Sequence, residues 1–359
     1  MIYYLIIVVL FLFSLMYQID EKKADYKMLT WFCLVAFLVI GGLRDGVGMD
    51  WDQYQRLFER TESSQDVSEG TQEPLYMMLM FVVRSIWNNF YFFSFIFFAI
   101  SFYLKYRFLR TYSSDIFLSL IIYCFTIFMI YDVNAIRQGM AMGLILISIK
   151  QILDRKFLPF AIILTIATFF HTSSIIFIPF YWLSRIKYSD KSVWWIALGI
   201  IAISVPIRYS LENAALIQNL MQLDMFTHYN AYLDNDEAGR SLPIISIAVF
   251  QRLFILFLFL FFLKKIEIDK DFKYLLFNGY LIATTIYLIF SFNAEFSARL
   301  SFYYKSLEMI IIPLVVSAQK EKKYSILLLC VFVLLALFGA NRLLAIPQGG
   351  LIPYQSLLW

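Results

Sequence analysis

Long runs of apolar residues with almost no charge recur from one end of this chain to the other. That pattern limits the fold more than any other feature. A backbone in hydrocarbon must satisfy its own polar groups, so such runs are read as helices. A helix needs roughly twenty residues to cross a bilayer. Runs of suitable character fall at 2–18, 28–43, 89–104, 116–131, 135–150, 158–170, 173–184, 192–207, 243–263, 274–292, 300–317 and 324–340. The expectation is an all-α polytopic membrane protein with roughly 12 transmembrane helices. The pair flanking His171 is short for two full crossings and reads equally as a re-entrant hairpin.

Composition agrees. Of 359 residues, 61% are hydrophobic, and the mean hydropathy is +0.71, well above a soluble domain of this size. The sequence contains no stretch that reads as a separate soluble domain, so residues 1–359 are expected to form a single integral-membrane domain. The first run lacks a basic n-region and a small-residue cleavage site, so it reads as a retained span. The three cysteines, Cys33, Cys124 and Cys330, fall inside apolar runs and read as small fillers. No phosphate-binding glycine loop, zinc spacing or basic nucleic-acid patch is present. No metal, cofactor or nucleic-acid partner is therefore expected.

Lysine and arginine cluster at six connections, around residues 22–27, 105–110, 150–156, 185–191, 264–273 and 320–323. By the positive-inside rule these face the cytoplasm. The alternation then requires 73–88 to lie along the outer interface as an amphipathic helix, with Arg84 on its polar face. Two larger outer-side loops follow, at about 44–88 and 208–242, the first with a polar, mobile tail at 61–72. The second carries His228 and an amphipathic stretch through Leu216 and Leu220, and reads as a lid on the membrane surface. Of the eleven basic residues outside the six clusters, ten are arginines, and a planar guanidinium suits phosphate or carboxylate.

This topology gathers polar residues at the outer helix ends: Arg44, Asp50, Tyr54, Glu73, Asn134, Arg137, Gln138, His171, Glu295 and Arg299. Arg137-Gln138 opens a helix for which Asn134 is an available N-cap. A guanidinium at a helix N-terminus suits a phosphate group; the alternative is a structural pair with Asp132. A histidine such as His171 suits general-base work on a hydroxyl, or a packing role. Asp50, Trp51 and Tyr54 combine a carboxylate with aromatic faces, which suits carbohydrate, and Asp50 is a second candidate base, or a partner of Arg44. Arg299 and Tyr303, four apart, share a helix face. Arg252, midway along its run, is the costliest charge in the chain. It reads either as a ligand-binding residue or as the partner of Glu308 or Glu295.

Four motifs in this order resemble the EpsG family: 44-RDGVGMDWDQY-54, 73-EPLY-76, 136-IRQGMA-141 and 171-HTSS-174. Later stretches, 299-RLSFYY-304 and 352-IPY-354, are similar to its closing motifs. Trp51 stands where tyrosine is common. The resemblance implies a Wzy-type polymerase of O-antigen, capsule or exopolysaccharide assembly, GT-C-like in architecture. It implies transfer of a growing glycan from undecaprenyl pyrophosphate onto a lipid-linked oligosaccharide repeat unit, at the outer face of the bacterial inner membrane. Catalysis would fall to Arg137, His171 and Asp50, with Arg44, Trp51, Tyr54, Glu73, Asn134, Gln138, Arg299 and Tyr303 binding substrate. Membrane lipids, a chain-length regulator and a flippase are the further partners expected. The rival functions are a lipid-linked oligosaccharide flippase, which would use Arg252, Lys305 and Glu308, and a membrane O-acyltransferase using His171.

Overall fold

A computed structural model describes residues 2–20, 26–68, 70, 72–189, 191–212, 241–346 and 350–358. Among the described residues it is helical throughout, with an isolated β-bridge between Arg44 and Ser356. The chain divides into two compact units, residues 1–175 with 308–359, and residues 176–307.

The first unit contains α1 (Ile2–Ile19), α2 (Lys27–Gly42), α3 (Trp51–Arg60), α4 (Ser64–Ser68), α5 (Pro74–Ile86), α6 (Phe90–Tyr112), α7 (Ile116–Tyr123), α8 (Ile136–Leu153) and α9 (Phe157–Phe170). Its last members are α15 (Glu308–Ser317) and α16 (Lys322–Leu344). The second holds α10 (Phe180–Leu183), α11 (Ser192–Glu212), α12 (Ile247–Phe262), α13 (Lys270–Ile289) and α14 (Ala294–Lys305). Six helices, α1, α6, α8, α11, α13 and α16, are long and apolar enough to cross a membrane. This is a polytopic helical membrane protein. The other apolar runs form helices of 10–17 residues, and the run 300–317 is interrupted after Lys305.

Polar side chains at helix ends explain where several helices start. Asn89, Asp115, Ser246, Asp269 and Asn293 each accept from backbone amides of the helix that follows, satisfying donors that a first turn leaves open. Asp115 also accepts from Ser14 at 2.6 Å and Gln18 at 2.9 Å, so one carboxylate starts α7 and ties it to α1. Inside α15, Pro313 cannot donate to the carbonyl of Met309. Ser119 of α7 donates to that oxygen instead, at 2.5 Å. In the second unit, Asn278 of α13 donates to the carbonyls of Leu183, Ser184 and Ile186 and so closes α10.

The stretch from 44 to 88 is built into the first unit rather than laid over it. Trp51, Phe58 and Tyr76 pack on Phe90, Phe93 and Phe97, with ring centroids 5.0, 5.7 and 5.4 Å apart, filling a core along the N-terminal half of α6. A helix forms at 74–86, and the Arg84 guanidinium donates to the carbonyls of Phe58, Glu59 and Thr61. Those are open acceptors at the end of α3, which a cation there suits. Within 61–72, the chain turns through α4, where Asp66 accepts from the amides of Glu62 and Ser63. Most of the 208–242 loop, with His228, Leu216 and Leu220, lies outside the described residues.

Candidate functional site

The residues that place Arg137 are set by an irregular turn. From Cys124 to Asp132 the helix continuing α7 is wound as a π-helix, a form that concentrates at functional sites. It ends on Asp132, which accepts from Lys105 at 2.7 Å, Ser101 at 2.8 Å and Tyr123 at 2.6 Å. Ser101 lies eleven residues into α6, about 16 Å of helical rise. The start of α8 therefore sits beside the middle of α6, not its end. Close packing accompanies this: a Cβ on Gly143 of α8 would meet Leu104 Cβ at 3.0 Å and the Ser101 carbonyl at 3.2 Å, both in α6.

Arg137 then faces Glu73, with His171 on the carboxylate's other oxygen. Arg137 Nη1 bonds Glu73 Oε2, and His171 Nδ1 lies 2.8 Å from Glu73 Oε1. The amide of Thr172 also points at Oε1, at 3.4 Å. Tyr54 is a further hydrogen-bond partner of Arg137, and the guanidinium carbon stands 5.8 Å from the Tyr76 ring centre. Three elements meet here: the N-cap of α5, the first turn of α8 and the C-cap of α9.

Electrostatics keep Glu73 ionised. Burial opposes its charge, but the His171 hydrogen bond and the Arg137 charge outweigh burial and hold the carboxyl down at about 2. Against an ionised carboxylate, Nδ1 of His171 is the donor, so the neutral ring carries its basic lone pair on Nε2. Arg137 Nε is buried with no hydrogen-bond partner among the described residues. The arrangement can orient a base and offer guanidinium donors to an anion from one anchored carboxylate.

The other expected residues fall at varied distances from this centre. Asn134 does not cap α8, whose N-cap is Ala135. It instead accepts from the Met49 amide at 2.7 Å and donates to the Met129 carbonyl at 2.9 Å, joining the 44–54 stretch to the turn. Gly48 makes that approach possible: its φ is +123° and a Cβ would meet the Val133 carbonyl at 2.5 Å. The expected alternative of an Arg137–Asp132 pair gives way to Arg137–Glu73, because Lys105 takes Asp132. Arg44 is 3% exposed. It bonds the Gly41 carbonyl rather than Asp50, and lies 5.2 Å from the Trp51 ring centre; burial pushes its guanidinium down to about 10. Arg44, Ser94, Ser101 and Asp132 line a small cavity beside Ile136.

Trp51 and Tyr54 are buried, their rings against Phe90 and Tyr76, so they hold the scaffold of the site with little face to spare. Asp50 is half-buried at the start of α3, and Gln138 is buried in the first turn of α8. Arg299 and Tyr303 belong to the second unit, where Arg299 pairs with Glu295 at 2.5 Å.

Two features escaped sequence reasoning. Lys105, expected in a cytoplasmic loop, is fully buried in α6 because that helix runs on to Tyr112. Its only signal was its place just after a continuous apolar run. The tail is the second: Gly48 donates to the Gly350 carbonyl, Asp45 to Gln355 and Leu357 to Leu43, while the Tyr354 hydroxyl reaches the Ile40 carbonyl at 2.9 Å. The last residues thus strap the 43–48 turn in place.

A profile of the EpsG family matches residues 26–356. No curated protein and no solved structure matches the chain.

Proposed function

Because the chain belongs to the EpsG family, we propose that it is a Wzy-type polysaccharide polymerase, a glycosyltransferase working at the outer face of the cytoplasmic membrane. It takes a growing glycan on undecaprenyl pyrophosphate and transfers it to the terminal sugar of a lipid-linked repeat unit. The product is O-antigen, capsule or exopolysaccharide. A GT-C-like scaffold of about twelve crossings belongs to the same proposal, with the shorter apolar helices completing the count. A flippase that supplies the units and a chain-length regulator are the expected partners.

The observation that carries this proposal is Glu73 holding Arg137 and His171 on its two oxygens. In the reaction an acceptor hydroxyl oxygen bonds the anomeric carbon of the donor glycan. The bond from that carbon to the pyrophosphate oxygen breaks, and its electron pair leaves with the pyrophosphate. The hydroxyl proton passes to Nε2 of His171. While the ring is neutral, Arg137 and Glu73 cancel. Once it is protonated the trio carries a net positive charge, as charge grows on the leaving pyrophosphate beside Arg137. Glu73 acts as a positioning residue in this scheme. Asp50, half-buried at the start of α3, is the alternative base.

The test uses purified protein in lipid nanodiscs with undecaprenyl-pyrophosphate repeat units, the products being sized on a gel. The wild type should give a ladder of long chains, and Arg137→Ala should give none while remaining folded. A wild-type-like ladder from Arg137→Ala overturns the proposal. Accumulation of repeat units on the cytoplasmic face of cells carrying the variant would favour a flippase.

A further inference from the structure

Two arginines of the second unit are buried with no carboxylate to balance them among the described residues. Arg208 and Arg252 are each 4% exposed. Arg252 donates to the Ala248 carbonyl of its own helix at 3.2 Å, and its guanidinium carbon lies 3.6 Å from the Tyr287 ring centre. Arg208 donates to Ser241 Oγ at 2.8 Å and to the Leu242 carbonyl at 2.9 Å, with Tyr209 beside it. The expected pairing of Arg252 with Glu295 is not made: Glu295 is taken by Arg299. Glu212 accepts from Ser241 at 3.2 Å and forms no ion pair with either guanidinium. Both Nε atoms are buried without a hydrogen-bond partner among the described residues.

The two side chains share one end of α13. Tyr287, under Arg252, packs in a cluster with Val249 and Leu288, against which Leu242 sits. The Leu242 amide donates to the Ser291 carbonyl at 2.8 Å just beyond α13, and the Leu242 carbonyl is the one that holds Arg208. Neutral carbonyls and a ring face leave both positive charges in place. A buried, uncompensated cation is costly, and a ring face returns only part of that cost. In a membrane protein such a charge is retained where something anionic meets it.

We infer that Arg208 and Arg252 form an anion site in the second unit that takes a phosphate or pyrophosphate group. Two guanidiniums with open Nε–H donors match the several oxygens of that group, and Tyr287 holds one guanidinium face so that its edge is presented. Where the polymerase proposal above holds, this site binds the phosphate of a lipid-linked substrate; that clause rests on the proposal, whereas anion binding does not.

The experiment measures binding, not polymerisation, on the full chain in phosphatidylcholine nanodiscs. Inorganic pyrophosphate is titrated against the wild type, Arg137→Ala, Arg252→Met and Arg208→Gln, following affinity and the rise in Tm. A second arm uses nanodiscs doped with undecaprenyl phosphate or with phosphatidylglycerol. The site predicts binding that survives Arg137→Ala and weakens at least tenfold in Arg252→Met and in Arg208→Gln. Loss confined to the undecaprenyl phosphate arm assigns the source to a lipid phosphate, and loss with pyrophosphate assigns it to the free group. Equal affinity in all four proteins overturns the inference. So does a Tm that falls in Arg252→Met without anion while no anion raises the wild type. A polymerase assay that fails with intact arginine-dependent binding sinks only the functional proposal.

Discussion

Glu73 Oε1 lies 2.8 Å from Nδ1 of His171, although the two residues are 98 positions apart. Its other oxygen is held by Arg137, so a single carboxylate joins the ends of α5, α8 and α9. The candidate chemistry of the protein depends on that shared contact.

Removing the carboxylate should therefore cost more than removing His171 alone. Glu73→Ala should lower polymerisation by about a hundredfold or more, in the range seen when catalytic positioning is lost. Glu73→Asp, one methylene shorter, should recover only part of it. Ladder length and initial rate on purified protein check this. A Glu73→Ala variant as active as the wild type would falsify the positioning role.

His171→Gln should slow the reaction while lipid pyrophosphate still binds, because the proposed base is lost and Arg137 is kept. The split should appear as a fall in kcat with KM little changed. Full activity would remove His171 as the base and leave Asp50.

The depressed Glu73 carboxyl gives a pH signature. Its folded value of about 2 lies below the ordinary 4.5, so its contribution is fully present above pH 4.5. That contribution is lost as the pH falls toward 2, and is on the order of 3 kcal/mol. The Tm difference between wild type and Glu73→Gln, followed from pH 6 downward, should shrink over that window. A difference independent of pH would count against the ion pair.

Lys105 and Asp132 are a fully buried pair 2.7 Å apart. Asp132→Ala should destabilise the solubilised protein by about 3–5 kcal/mol, since it strands the Lys105 charge. Lys105→Met with Asp132→Leu should cost less than Asp132→Ala alone. Thermal melts of the three proteins decide; a double variant worse than the single one contradicts the account.

Gly48→Ala should also be costly, from its positive φ and the Val133 carbonyl 2.5 Å from any Cβ. A loss of about 1–3 kcal/mol is expected. A melt that matches the wild type would show that the 44–54 stretch can move away from the turn.

Some of this was legible along the chain. Apolar runs gave helices because hydropathy is a local property that adds up residue by residue. Asn89, Asp115 and Asn293 start helices by the same short-range logic. Glu73, Arg137 and His171 stood out one at a time, as polar groups at the ends of apolar runs. Their joining did not, since it depends on which helix ends abut, and nothing within a few residues encodes that. Lys105 shows the limit: beside Arg107 and Arg110 it reads as a loop cation, yet α6 carries it inward to Asp132. Arg84 was expected on the polar face of its helix, and the structure adds what that side chain meets, the open carbonyls that end α3.

The sequence by itself determined a helical membrane protein, its family and a short set of polar candidates. The tertiary structure decided their partners. It gave Asp132 to Lys105 and Glu73 to Arg137 and His171, and among the described residues left Arg208 and Arg252 without a carboxylate. The physical reason is that a charge withdrawn from water is governed by its nearest neighbours in space, and only packing chooses those.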